Sequence, residues 1–265
     1  MLSVVKLGGS VLRDEDAFAR AARWLRARLD AHASERLVVI VSAEHGATDA
    51  LLRSAAAICA DPDPIALDLL WSTGEIRSVA RLVLHLQSAG VHAAGLNVHQ
   101  TGLVAAPGGH PGRASLRPLY LLAALGRCRL VVVPGFLASA PGGAIQSLGR
   151  GGSDLTAVQI AAGLRADRCE LVKDVPGYHT SDPNRDRGAM PIADLPYDAA
   201  LAMADAGCDL VQRAALVCAR EHRLSLIVRG FDAAGTTVTT EGGRSWNSQP
   251  APFMPPSHPS RAPAR

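Results

Sequence analysis

"SLGRGGSDLTAVQIAAGLRADRCELVKDV", residues 147–175, passes from a glycine turn into a helix and from that helix into an apolar strand. Ser153 and Asp154 open the helix. A plain turn with a helix cap needs a Ser or an Asp, but not the Arg150-Gly151-Gly152 that precedes them. Such a turn brings backbone N–H groups, a guanidinium and a carboxylate to one point, where a helix start favours an anion. The segment "RCELVKDV" that follows the helix reads as a strand.

Working outward, the same grammar repeats. "LSVVKLGG", "RLVVIVSA", "GVHAAGLN", "CRLVVVPGF" and "RLSLIVRG" read as strands. Between them lie helical stretches: Phe18, Ala22, Leu25 and Leu29 share one face, Thr48 stands as an N-cap for the next helix, and a long helix runs from about Pro64 to Ser88. Strands alternating with helices, mostly apolar rather than period-two, predict an α/β fold with a mostly parallel central sheet sandwiched by helices. From Glu241 the texture turns to Pro, Ser and Gly. Residues 241–265 read as a disordered tail, or as an extension wrapping a partner subunit.

The net charge of +3 and the three tyrosines and four phenylalanines argue against nucleic-acid binding. The five cysteines form no C-x-x-C pair and read as reduced thiols in a cytoplasmic protein. No apolar run approaches the length of a membrane span, and Met1 leads directly into a strand. The nine histidines suggest no metal site: His85, His92 and His99 are evenly spaced but cross from helix to strand at Gly90.

Two more glycine clusters end strands. "KLGGS", Lys6–Ser10, is either an anion-cradling loop or an ordinary tight turn; it lacks the G-K-[ST] of a P-loop. "KDVPGYHTSDP", Lys173–Pro183, carries the turn dipeptide Pro176-Gly177. The two clusters hold the only lysines of the chain, Lys6 and Lys173, against 25 arginines (27 basic residues less two). An ammonium is a compact point charge suited to a moving phosphoryl group, whereas a guanidinium prefers fixed bidentate pairing.

In order along residues 2–240, the chain resembles the catalytic domain of aspartokinases, within the amino acid kinase family. "VVKLGGSVL" is similar to the family's K-F-G-G-[ST], and "VSAEHGATDALL" to V-S-A-x-x-G-x-T-[DN]-x-L. "TGEIRSVARLVLHLQSAGV", "GRA" at Gly112–Ala114, "VVVPGF" and "LGRGGSDLTAVQIAAGLRADRCEL" correspond too. "KDVPGYHTSDP" resembles T-D-V-D-G-V-Y-T-x-D-P, and "LIVRGF…GTTVTT" the end of the kinase domain.

The resemblance implies an ATP-dependent kinase, working with Mg²⁺ and without a protein-held metal, that phosphorylates the side-chain carboxylate of aspartate in amino-acid biosynthesis. It implies a kinase domain over 1–240, with an acceptor-binding lobe to about 146 and a nucleotide-binding lobe over 147–240, as a homodimer. Lys6, Asp154 and Lys173 are the implied catalytic residues. Ser42, Thr48, Glu75, Arg150, Gly151, Gly152 and Ser153 would line the acceptor site, with Arg150 on the α-carboxylate and Glu75 and Asp154 facing the α-ammonium. Lys6, Gly8, Gly9, Ser10, Lys173, Asp174, Tyr178 or His179, and Arg185 would surround ATP. Without the resemblance, Glu75 reads as a solvated helix carboxylate.

Departures from the pattern are Pro176 for an acidic residue, His179 for a tyrosine, and "GCDLVQRA", Gly207–Ala214, which puts Asp209 where a phosphate-facing lysine is expected. Other members of the family carry a lysine in the motif of Lys173, so Lys173 is expected to supply that cation. The tail stands where aspartokinases continue into regulatory ACT domains, so feedback through such domains is not expected. Two further readings remain: the same fold with another small carboxylate or a phosphorylated metabolite as acceptor, and a nucleotide-binding protein with little turnover.

Overall fold

The computed structural model describes residues 1–106, 114–149, 151–183 and 185–241. Arg150, part of the Gly112–Ala114 motif and the tail beyond Glu241 therefore lie outside the described residues. The chain begins β1 (Leu2–Leu7), α1 (Glu15–Ala31), β2 (Arg36–Val41), α2 (Ala47–Ile58), α3 (Pro64–Ser88) and β3 (Ala93–Gly95). It continues α4 (Val98–Thr101), β4 (Leu103–Ala105), β5 (Ala114–Leu116), α5 (Leu119–Arg127), β6 (Leu130–Pro134), β7 (Leu137–Ser139) and β8 (Ile145–Ser147). It ends α6 (Gly152–Leu164), β9 (Arg168–Val172), β10 (Asp194–Pro196), α7 (Tyr197–Asp205), α8 (Arg213–Glu221), β11 (Leu226–Arg229) and β12 (Thr236–Thr239).

Eight strands form one sheet in the order β10-β12-β11-β9-β1-β2-β6-β3. Every pairing is parallel except β11 with β12. The central strands are buried runs because both faces are covered. On one face Val5, Leu7, Val39 and Val132 pack with Phe18 and Leu25 of α1 and Leu82 and Leu86 of α3. On the other, Val4, Val38, Val131 and Leu171 pack with Leu155, Val158 and Ile160 of α6 and with Ala215 and Leu216 of α8. Beyond β9 the first face thins. Ile227 and Thr237 are only half-buried there, so β11 and β12 alternate as strands with one well-covered face do.

A second sheet, β5-β4-β7-β8, is built from three-residue strands. The sequence gives no periodic signal for these pieces, because three residues carry no readable pattern. Thr48 does not cap α2. Gly46, in the left-handed region at φ 75°, precedes the helix, and Thr48 is exposed in its first turn. Only Ala55 of α2 is buried.

Parallel strands point their carboxyl ends the same way. The loops after β1, β2, β6, β9 and β11 therefore gather along one edge of the sheet, where ligands of open α/β sheets bind.

Candidate active site

Lys6 lies one residue from the end of β1, on the face that β1 turns towards α6. Side chains alternate along a strand, so Lys6 follows Val4 into that layer. On the neighbouring β9, Cys169 and Leu171 point the same way, and Lys173 continues that alternation just past the strand end. Asp154, in the first turn of α6, meets both. The Lys6 ammonium is 2.8 Å from its Oδ1, and the Lys173 ammonium donates to its Oδ2 at 2.8 Å. The three side chains are 8%, 3% and 13% exposed for Lys6, Asp154 and Lys173, so water screens the cluster little.

Burial alone would raise the Asp154 carboxyl, but the charges and hydrogen bonds of Lys6 and Lys173 outweigh it and hold the group at about 2. The Lys173 ammonium is pushed below its ordinary value by burial and by Lys6 beside it, against the attraction of Asp154. Two ammoniums against one carboxylate leave the cluster a positive charge short of an anion. Gly8 opens directly onto it: a Cβ there would stand 3.3 Å from the Lys6 ammonium and 3.8 Å from Ser10 Oγ. The loop at the end of β1 is pinned to β9, with the Gly8 N–H donating to the Val172 carbonyl at 3.3 Å.

Asp154 is free for the lysines because it does not cap its helix. Gly151, left-handed at φ 70°, precedes α6 and no side chain caps it. The carboxylate in the first turn still benefits from the helix dipole. Ser153 is buried against Gly135, where a Cβ would stand 2.7 Å from Ser153 Oγ. Thr156 fastens the same loop, its Oγ1 accepting from the Phe136 N–H at 3.1 Å.

Glu75, in the middle of α3, is 4% exposed. Burial pushes its carboxyl up to about 8, against the N–H of Ala43, the charge of Lys6 and the N–H of Gly135. Its Oε2 has no hydrogen-bond partner among the described residues. Glu75 is thus a buried carboxyl between the ends of β2 and β6, with an acceptor to spare, and not a solvated helix carboxylate. Ser42 is half-buried at the end of β2, its N–H donating to the Leu7 carbonyl at 3.2 Å.

The remaining residues scatter more widely. Gly9 abuts the β2 loop, and Gly152 is buried where α6 begins. Asp174 is exposed beside Lys173. Tyr178 is 2% exposed with its ring in the core, so His179 is the more open of the pair; its Nδ1 lies 3.0 Å from the Gly177 carbonyl. Arg185 is 88% exposed and pairs with Asp182 at 3.4 Å. Asp209 is exposed in the turn before α8. From that stretch it is Gln212 that reaches the cluster, its N–H 3.5 Å from Asp154 Oδ2. Gln212 and Gly135 escape a reading of the sequence because they act through backbone groups and close approach. The glycine that ends "VVVPG" was the only available signal. No group of three or more His, Cys, Asp or Glu able to hold a metal occurs among the described residues.

The model of the amino acid kinase family matches residues 1–230. Aspartokinase 2 of Bacillus subtilis is 32% identical over 249 residues, spanning 93% of this chain and 60% of that protein. The crystal structure of aspartate kinase from Synechocystis superposes with a TM-score of 0.77 at 34% identity, over 90% of this chain and 40% of the other. E. coli aspartokinase III, solved in complex with aspartate and ADP, gives a TM-score of 0.73 at 25% identity, over 90% and 64%. The chain thus spans between 40% and 64% of the length of these relatives.

Proposed function

The chain belongs to the amino acid kinase family, and from that premise we propose that it transfers the γ-phosphoryl group of ATP to the β-carboxylate of aspartate. The observation that carries this reading is the pair of ammoniums on Asp154 beside the open backbone of Gly8. The likeness to aspartokinases over about nine-tenths of the chain supports the choice of acceptor.

In the reaction a carboxylate oxygen of aspartate attacks the γ-phosphorus, the bond from phosphorus to the β,γ-bridging oxygen breaks, and ADP leaves with that electron pair. Catalysis of such a transfer is positioning and charge neutralisation. Lys6 and Lys173 supply fixed positive charge, and Asp154 holds both ammoniums in place without being titrated itself. Lys173 thereby provides the second cation that the turn at Asp209 does not. The turn Gly8-Gly9-Ser10 cradles phosphate oxygens through the N–H groups of Gly9 and Ser10, while Gly8, its own N–H held by the Val172 carbonyl, allows close approach. Asp174, His179 and Arg185 lie on the nucleotide side and Ser42, Thr48 and Ser153 on the acceptor side, with Gly151 and Gly152 in the turn that opens α6. Glu75, with its unpartnered Oε2, takes the acceptor's ammonium, and Arg150 its α-carboxylate. Mg²⁺ would arrive on the nucleotide's phosphates, where it neutralises charge. The acceptor lobe, to about 146, and the nucleotide lobe, 147–240, share the continuous sheet, and the working form is a cytoplasmic homodimer.

The test is incubation with ATP, Mg²⁺ and a panel of amino acids in hydroxylamine, with ADP release followed in parallel. Hydroxamate with aspartate is the expected result. ADP release with another acceptor and none with aspartate overturns the reading.

A further inference from the structure

We propose that Arg81 is a positioning residue for the acceptor side of the site, acting through Glu44 on the segment 42–46. This rests on the reading of that segment, with Ser42 and the Ala43 N–H on Glu75, as part of the acceptor pocket.

The segment joins β2 to α2 and lies against both Glu75 and the Gly9 turn. Ala43 donates to Glu75, and its carbonyl lies 2.7 Å from where a Cβ on Gly9 would be. Ordinarily the following helix would fix such a segment, but α2 buries only Ala55. Glu44 supplies the missing anchor. Its side chain is 14% exposed and accepts from Arg81, while Arg77 Nη2 lies 3.3 Å away. Arg77, Arg81 and His85 stand four residues apart along one face of α3.

Arg81 is itself held from the far side. It donates to Glu15 at the start of α1, and its guanidinium sits 4.6 Å from the centre of the Phe18 ring. His85 closes the set, 2.6 Å from Glu15 and stacked on the same ring. The guanidinium thus bridges two carboxylates on two elements, and only the fork of an arginine reaches both. Removing it leaves Glu44 only the longer, more exposed contact with Arg77, and so loosens the backbone that carries Ser42 and Ala43. The loss falls on acceptor binding, because Lys6, Asp154 and Lys173 are held by the sheet and α6.

The experiment uses the full chain and compares Arg81→Met, Arg81→Lys and Glu44→Gln with wild type. Backbone hydrogen exchange is read over residues 43–51, and aspartate KM is read separately from kcat. In Arg81→Met, exchange over 43–51 should speed up by about tenfold or more and aspartate KM should rise by about tenfold, with kcat within about threefold. Arg81→Lys should bring KM only part of the way back. Unchanged exchange over 43–51 in Arg81→Met overturns the proposal, as does a fall in kcat with KM unmoved. Should Arg81→Met not fold, Glu44→Gln answers the same question by the same two readings. A wild type without aspartate turnover defeats the kinase reading alone, and the exchange result then decides the clamp.

Discussion

The Lys173 ammonium lies 2.8 Å from Oδ2 of Asp154, a carboxylate nineteen residues earlier at the start of α6. The other oxygen of that carboxylate faces Lys6, also at 2.8 Å. The two lysines of an otherwise arginine-based chain therefore converge on one side chain. Two compact ammoniums fit side by side around a single carboxylate and keep donors free for a third partner. Two planar guanidiniums would each claim both oxygens and crowd one another.

Lys173→Met should lower kcat by about a hundredfold or more while aspartate KM stays within a few-fold, since a removed donor to developing charge is worth ~3 kcal/mol. Lys173→Arg keeps the charge but not the shape, and should recover little of the loss. Steady-state kinetics on the two variants checks this. Near-normal turnover in Lys173→Met removes Lys173 from the mechanism; near-normal turnover in Lys173→Arg alone would show that the charge suffices and the shape of the ammonium does not matter.

The residues that announced the site were those with an anomaly of composition or a glycine at a strand end: Lys6, Lys173 and the turn before Ser153. The long buried strands and α3 were legible too, because five or six apolar residues in a row and a helix of 25 residues carry strong patterns. The small sheet was not, and neither was the position of Tyr178. A tyrosine in a polar loop motif looks available, yet Gly177 and Tyr178 are buried and the ring joins the core. For Asp209, exposed in its turn, alignment by motif gives a place along the chain but does not aim the side chain.

Glu75 should impose an acidic limb on catalysis. Its carboxyl stands at about 8 in the free protein, and only the ionised form attracts an ammonium. The value of kcat/KM for aspartate should therefore rise with pH and level off above about 8, since that ratio reports the free enzyme. The stability effect has the opposite sign. A carboxyl raised from 4.5 binds its proton more tightly in the folded state, so stability falls as pH rises through 4.5 to about 8. In Glu75→Gln both trends should vanish: a flat pH profile at much reduced activity, and a stability curve that no longer drops across that window. A rising limb that survives in the variant assigns it to another group.

Arg28 should matter for stability rather than turnover. Its guanidinium pairs with Glu35 at 2.7 and 2.9 Å and with Glu170 at 2.7 Å, on the face of the sheet covered by α1. Both carboxylates are essentially buried, at 0% and 1% exposure. Arg28→Met leaves them without their main cation, and breaking a buried pair in this way costs ~3–5 kcal/mol. Urea unfolding at pH 7.5 should show a lower midpoint with an unchanged slope. The deficit should shrink as pH falls towards 5, because the Glu35 carboxyl, which burial would raise but Arg28 and Ser3 hold below its ordinary value, loses its main cation in the variant and takes up a proton more readily. A deficit independent of pH would point to lost packing instead.

Gly9→Ala tests whether the two loops of the site are set against each other. The added Cβ would stand 2.7 Å from the carbonyl oxygen of Ala43, a backbone atom that cannot swing aside as a side chain can. Gly9 does not have a positive φ, so the substitution adds no backbone strain of its own. Gly46 is the converse: φ is 75° and nothing lies within 4 Å of a Cβ, so Gly46→Ala strains the backbone without a clash. In Gly9→Ala either the phosphate-side turn at residues 8–10 or the acceptor-side segment must move. A displacement near 1 Å there costs about a hundredfold in kcat/KM. Gly46→Ala should instead lose about 1 kcal/mol of stability and keep kcat near wild type, any loss of activity falling on aspartate KM. Thermal unfolding and kinetics on the pair separate the two effects. Full activity in Gly9→Ala would show that the contact between the loops has no part in positioning the reactants.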